Sequence, residues 1–344
     1  MATAHNILFN GFTRITLDGV SLGEMQIGNP DGVYPIDGAE WIKPEIEIAV
    51  RGLSDGTPFD EIYDSPETGY LTRRGRFYYR NCNVANDMDR PDVFYRGGLP
   101  NARLRIRLET VEPLRFTVET TPNFVRESRS RLSRIARIDD LISNLALIAA
   151  IHRGYVPMHA AAIELGEDPC RRSVLFMGLP NTGKTSTSLA VSRGLAGRYL
   201  AEDIAFVRPD GLAVFGAPST LDEQKLQDQA ALRAAQFSGG ALASLVMLHR
   251  KPGPARIERL PRGSAAIGAF ILAMNRHEFE WNHDLILRHL LVGGANNGLT
   301  SDTVLERYLD GMRRIAAAID AIVLSGEDPG QWPHLAVDAF AARG

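Results

Sequence analysis

Gly178, Gly183, Lys184 and Thr185 stand at the spacing G-x-x-x-x-G-K-[ST], the pattern of a phosphate-binding loop. Each residue type has a chemical reason. Glycines let the backbone turn tightly with its N–H groups pointing inward, which cradles phosphate oxygens. A helix starting directly after the loop adds the positive end of its dipole. A lysine at the sixth step beyond Gly178 reaches β- and γ-phosphates, and the following threonine hydroxyl suits Mg²⁺. The candidate nucleotide-binding residues are therefore Gly178, Leu179, Pro180, Asn181, Thr182, Gly183, Lys184, Thr185 and Ser186.

The surrounding sequence has to position this loop. Val174, Leu175, Phe176 and Met177 predict a buried strand before it, and Ser188, Leu189, Ala190 and Val191 continue a helix after it. The chain has only four lysines, Lys43, Lys184, Lys225 and Lys251, and arginine supplies its other cations. A chain so sparing of lysine has kept one in the loop. Further on, Arg198 to Val207 reads as an apolar strand that carries Glu202 and Asp203 side by side. Unpaired acids in a buried strand are costly. They become tolerable facing a metal ion or substrate, so both are candidate Mg²⁺ ligands and either is a candidate base; the alternative is an edge acid paired with an arginine. Upstream, Met158-His159-Ala160-Ala161 opens a run to Leu165, and the polar turn Gly166–Arg171 leads into the loop's strand. Two strands so joined predict an antiparallel hairpin. His159 is either a satisfied core histidine or a partner for an acid.

Residues 1–122 read as a β-rich N-terminal domain. Ile46, Ile48 and Val50 alternate with Glu45, Glu47 and Ala49, and Leu104, Ile106 and Leu108 with Arg103, Arg105 and Arg107. Leu114, Phe116 and Val118 keep the same period, and an antiparallel sheet with one wet face is the simplest account. Residues 123–344 form the domain of the loop. A long helix is expected from about Arg126 to Arg153, or from nearer Ser133 because its arginine-rich start has the wrong sign for the dipole. Gly154 should end it. Strands are expected at Leu212–Phe215, Leu245–Leu248 and Ile257–Leu260, a loop at Pro218–Lys225, and helix through Val304–Val323. The net charge of −3 gives no electrostatic footprint for nucleic acid. Cys82 and Cys170 are the only cysteines, which excludes a disulfide framework. The apolar run Leu145–Ile151 is too short to span a bilayer, and the start lacks a signal-peptide pattern. The expected setting is the cytoplasm, without membrane or nucleic-acid partners.

Taken in order, Met158-His159-Ala160-Ala161, the loop Gly178–Thr185, Arg193-Gly194 and Leu200-Ala201-Glu202-Asp203-Ile204 resemble the HPr kinase/phosphorylase superfamily. The resemblance covers residues 155 to 210. It implies an α/β fold like the phosphoenolpyruvate carboxykinase core, a mixed sheet with the phosphate loop and flanking helices. It also implies ATP and Mg²⁺ as cofactors and transfer of the γ-phosphate to a hydroxyl, usually of serine. By position, Lys184 contacts phosphates, Thr185 binds Mg²⁺, Asp203 matches the acid that takes the hydroxyl proton, His159 the histidine beside it, and Glu202 a first aspartate. Pro180-Asn181 stands where the family has Ser-Gly, the acids are Glu-Asp, and the downstream carrier-binding signature is missing. These departures resemble the peptide-modifying relatives such as lasso peptide precursor kinases. The expected partner is then a peptide or protein bearing an acceptor hydroxyl, with a homo-oligomer as the expected assembly. A kinase of a small hydroxyl metabolite and a non-catalytic nucleotide-sensing module are the alternatives. No N-K-x-D stands in the chain for a GTPase.

Overall fold

The computed structural model describes residues 5–20, 44–54, 70–71, 78–81, 92–96, 99–130, 137–167, 170–216, 240–275, 285–291 and 299–341. It is a mixed α/β protein with two mixed sheets. Two compact units are present: Met1–Arg153 with Glu280–Glu306, and Gly154–Phe279 with Arg307–Gly344. The described helices are α1 (Pro122–Ser128), α2 (Ile138–His152), α3 (Lys184–Gly194), α4 (Ala265–Met274), α5 (Leu285–Leu291), α6 (Ser301–Ala318) and α7 (Trp332–Ala341). None of them is long and apolar enough to cross a membrane.

The first unit holds an eight-stranded sheet. Its strands are β1 (His5–Asn10), β2 (Thr13–Asp18), β3 (Ile46–Gly52), β4 (Tyr70–Leu71), β5 (Tyr78–Asn81), β6 (Asp92–Arg96), β7 (Arg103–Val111) and β8 (Leu114–Thr120), in the order β1-β2-β3-β8-β7-β6-β5-β4. The period of two holds: Ile46, Ile48, Val50, Leu104, Ile106, Phe116 and Val118 are buried. The expectation of a purely antiparallel sheet does not hold, because β3 runs parallel to both β2 and β8. On the other face, Arg105 pairs with Glu119 directly across the ladder, and Arg14 with Glu47.

The single long helix is also corrected. α1 starts at Pro122, where the Thr121 side chain accepts a hydrogen bond from the Phe124 N–H. α2 starts only at Ile138. Asp139 and Asp140 there suit the positive end of the helix, as the arginines upstream do not. Burial raises the Asp140 carboxyl above its ordinary range, Arg137 opposes this, and Asp139 adds to it. Gly154, at φ +88°, follows the helix as expected.

The second unit carries the other sheet: β9 (Val156–His159), β10 (Ala161–Leu165), β11 (Arg172–Gly178), β12 (Arg198–Ala201), β13 (Ile204–Arg208), β14 (Ala213–Gly216), β15 (Gly240–Arg250), β16 (Arg256–Leu260) and β17 (Asp320–Gly326). The order is β12-β10-β11-β15-β14-β13-β9, with β17 between β15 and β16. The hairpin of β10 and β11 is antiparallel, as expected. β11, β15 and β17 run parallel and bring their carboxyl ends to one edge, where open α/β sheets bind ligands. One face buries Ile163, Val174, Phe176, Val246, Leu248 and Ile322 together with Trp332 and Phe340 of α7. The helix expected through Val323 stops at Ala318. The segment after it, rich in Ala, Ile, Val and Leu, becomes β17, a buried strand between two neighbours, as a short apolar run allows. The loop expected at Pro218–Lys225, like Asn296-Asn297-Gly298, lies outside the described residues.

Candidate functional site

The loop from Gly178 to Gly183 leaves the carboxyl end of β11 and enters α3. Its shape is locked locally. A Cβ on Gly178 would lie 2.6 Å from the Thr182 hydroxyl and 2.8 Å from the Leu248 carbonyl, so only glycine fits. The Thr182 hydroxyl donates to the Leu179 carbonyl (2.7 Å). Asn181 and Gly183 have φ of +62° and +81°, the left-handed region that Asn and Gly tolerate best. No side chain caps the start of α3, so its first N–H groups are available to an anion.

Two strand breaks bring the other groups to this loop. The expectation of one continuous strand over Arg198–Val207 is corrected: Glu202 and Asp203 form a bend between β12 and β13. The run Met158–Leu165 breaks likewise at Ala160, between β9 and β10. The breaks lie against each other, because the Ala160 N–H donates to the Asp203 carbonyl (2.9 Å). Each strand changes partner there: β10 pairs with β11 and β12, whereas β9 pairs with β13. The two acids are thus not sealed in a sheet. They sit at a kink with access to solvent.

Lys184, Thr185, His159, Glu202 and Asp203 line a pocket of about 680 Å³, together with loop residues that include Pro180, Asn181, Gly183 and Ser186. Lys184 Nζ donates to the Gly178 carbonyl (2.9 Å) and lies 2.9 Å from His159 Nε2. On the other side of the ring, His159 Nδ1 is 3.3 Å from Asp203 Oδ1, with the histidine side chain 17% exposed and the aspartate 57%. Thr185 Oγ1 donates to Glu202 Oε1 (3.4 Å). His159 thus stands between the loop's cation and Asp203, its Nδ1 near the carboxylate at 3.3 Å but without hydrogen-bond geometry to it, and Thr185 ties the loop's hydroxyl to Glu202. Of the expected nucleotide-binding residues, Gly178, Leu179 and Thr182 shape the loop without being among the described lining residues. Arg250, Arg256, Arg259 and Arg262 are exposed and do not line the pocket either.

Thr185, Glu202 and Asp203 present only oxygen donors, the set that suits Mg²⁺. Among the described residues no group of three or more His, Cys, Asp or Glu side chains could hold a metal ion. Such a donor set fits a cation that keeps waters and takes the rest of its ligands from phosphate.

Some supporting residues lay outside the sequence reading. Tyr199, buried beneath α3, has its hydroxyl 3.4 Å from Ser188 Oγ, and Ser188 donates to the Thr185 carbonyl (3.0 Å). Burial pushes the Tyr199 phenol up, Ser188 opposes the shift, and the charges of Glu202 and Asp203 add to it. Asn275, just after α4, is wholly buried and accepts the His159 N–H (2.9 Å). The only signal for Tyr199 was its place two residues before Ala201-Glu202, and for Asn275 its place after the apolar run Ala265–Met274. No protein-family profile matches the chain, and no curated protein matches it significantly.

Proposed function

We propose that the chain is a Mg²⁺-ATP-dependent kinase that transfers the γ-phosphate to a serine or threonine hydroxyl of a peptide or protein, on a phosphoenolpyruvate-carboxykinase-like core. The carrying observation is that one 680 Å³ pocket joins a phosphate loop to a histidine-linked aspartate. Lys184 is the cation of the loop, and His159 stands between it and Asp203. The mixed sheet, with antiparallel β10 beside the loop's strand, supports the core assignment.

In this reading the loop N–H groups and the α3 N-terminus hold the phosphates. Thr185 and Glu202, with Asp203, would hold Mg²⁺, which would supply charge neutralisation at the phosphate oxygens. Asp203 orients the acceptor hydroxyl and takes its proton. The hydroxyl oxygen forms a bond to the γ-phosphorus, the bond from that phosphorus to the β,γ-bridging oxygen breaks, and ADP leaves with those electrons. Lys184 neutralises charge that develops on the transferring group. His159 keeps the Asp203 carboxylate aimed at the hydroxyl.

The test is transfer from γ-³²P-ATP, with Mg²⁺, to a library of Ser/Thr peptides and to small hydroxyl metabolites. Label on a peptide hydroxyl supports the proposal. Label on metabolites alone selects the metabolite kinase, and binding of ATP with no transfer selects the sensing module.

A further inference from the structure

β9, the strand that carries His159, is the last strand in the order of its sheet, with β13 as its strand neighbour. Alternate residues of a strand send their N–H and C=O groups to opposite edges. Ala160 points toward the β13 side, where its N–H meets the Asp203 carbonyl. His159 and Pro157 therefore point outward. What meets them is a side chain. Asn275 Oδ1 accepts the His159 N–H (2.9 Å), and Asn275 Nδ2 donates to the Pro157 carbonyl (3.3 Å). One carboxamide thus accepts from residue i and donates to residue i−2, as one residue of a parallel neighbouring strand would.

We infer that Asn275 is a positioning residue for His159, standing in for a missing strand at the edge of β9. The inference deepens the kinase reading and rests on it for its effect on turnover. The geometry leaves the amide no slack. Asn275 is wholly buried, its N–H caps α4 through the Ile271 carbonyl, and Nδ2 also lies 3.3 Å from Met158 Sδ. Tyr308 adds a second donor to the Pro157 carbonyl (3.3 Å), so that carbonyl keeps a partner if the amide is lost. The His159 N–H donates to the amide oxygen at the shorter distance, 2.9 Å. While the Pro157 carbonyl keeps Tyr308, removing Asn275 takes away the 2.9 Å contact that holds the His159 backbone. The ring, which spans Lys184 and Asp203, moves with it.

Asn275→Ala removes both contacts. Asn275→Asp keeps an acceptor for the His159 N–H, and when ionised sets a carboxylate oxygen against the Pro157 carbonyl. The measurement is the pair of imidazole ¹⁵N resonances of His159 in the full chain, with steady-state kinetics alongside and circular dichroism to confirm the fold. The expected result for Asn275→Ala is a changed His159 tautomer balance and a kcat lower by between about tenfold and a hundredfold, the scale of a small misplacement, with the KM for ATP within about twofold. At matched pH, Asn275→Asp, which keeps the acceptor for the His159 N–H, should leave the His159 resonances nearer to wild type than Asn275→Ala does. A folded Asn275→Ala with unaltered His159 resonances overturns the inference, and so does failure of both variants to fold, which would make Asn275 a folding residue only. The resonances are read without turnover. If the wild-type chain transfers no phosphate while Asn275→Ala still shifts them, the kinase reading fails and the positioning role stands.

Discussion

The second unit contains two sets of acids, at opposite ends of one sheet, and they differ in nearly every physical respect. Glu164 on β10 is 2% exposed, held by Arg198 (Nε at 3.1 Å) and approached by Arg171 (3.7 Å). It faces Ser173, at the start of β11. Glu202 and Asp203 lie at the other end, about 10–13 Å along the strand at ordinary rise, at a bend beside the loop. Asp203 is more than half exposed and engages a histidine, and Glu202 meets a hydroxyl. The buried acid is neutralised by arginines that fix it. The pocket acids keep access to what enters the pocket. The buried acid is enclosed by opposite charge, whereas the pocket acids are oriented by neighbours and left reachable.

Substitutions should separate the two ends. The largest effect on turnover belongs to Lys184→Ala and Asp203→Asn, each lowering kcat by about a thousandfold, within the range for removing a charge stabiliser or a general base. Chemical denaturation should show little change in stability for Asp203→Asn. Glu164→Ala should behave in the opposite way, costing about 3–5 kcal/mol because two arginines lose their buried partner, with kcat per folded molecule preserved. Glu202→Gln should raise the Mg²⁺ concentration for half-maximal activity by about tenfold or more, while unfolding changes little. If Glu164→Ala abolished turnover in folded protein, the contrast between the two ends would fail.

Sequence spacing made the strand–loop–helix around Gly178–Thr185 legible because its geometry is local: glycines that allow the turn, then the start of a helix. The hairpin before it was legible for the same reason. The bend at Glu202-Asp203 was not, since an apolar run with two acids looks the same whether it stays in one ladder or changes partners. The buried acid that did need an arginine was Glu164, which no local pattern marked. Its need is a tertiary matter, set by Arg198 from β12 and by Gly240, where a Cβ would come within 2.7 Å of the Glu164 carboxylate. β17 was read as helix because a short apolar run has no decisive period, and pairing with β15 and β16 decided it. In the first unit the alternation marked the buried face, but strand direction depends on crossovers and left no trace in the pattern.

The smallest effect concerns Tyr199, buried beneath α3. The Tyr199 phenol is raised above its ordinary value of 10.0 by burial first and by the nearby acids. Raised in the folded state, it contributes stability that is fully present below pH 10.0 and lost as the pH climbs above it. Tyr199→Phe should remove that alkaline component from the unfolding free energy while costing about 1 kcal/mol or less at neutral pH. An unchanged alkaline slope would show that the phenol is not held above its ordinary value in the folded chain.

The most direct test of the central account separates binding from transfer in one substitution. Asp203→Asn keeps the shape of the bend and removes the proton acceptor. The account predicts that ATP binding, followed by calorimetry with Mg²⁺ present, stays within about tenfold of the unsubstituted chain, while phosphate transfer to a hydroxyl peptide, read by intact mass, is lost. Transfer that continues undiminished in Asp203→Asn would contradict it.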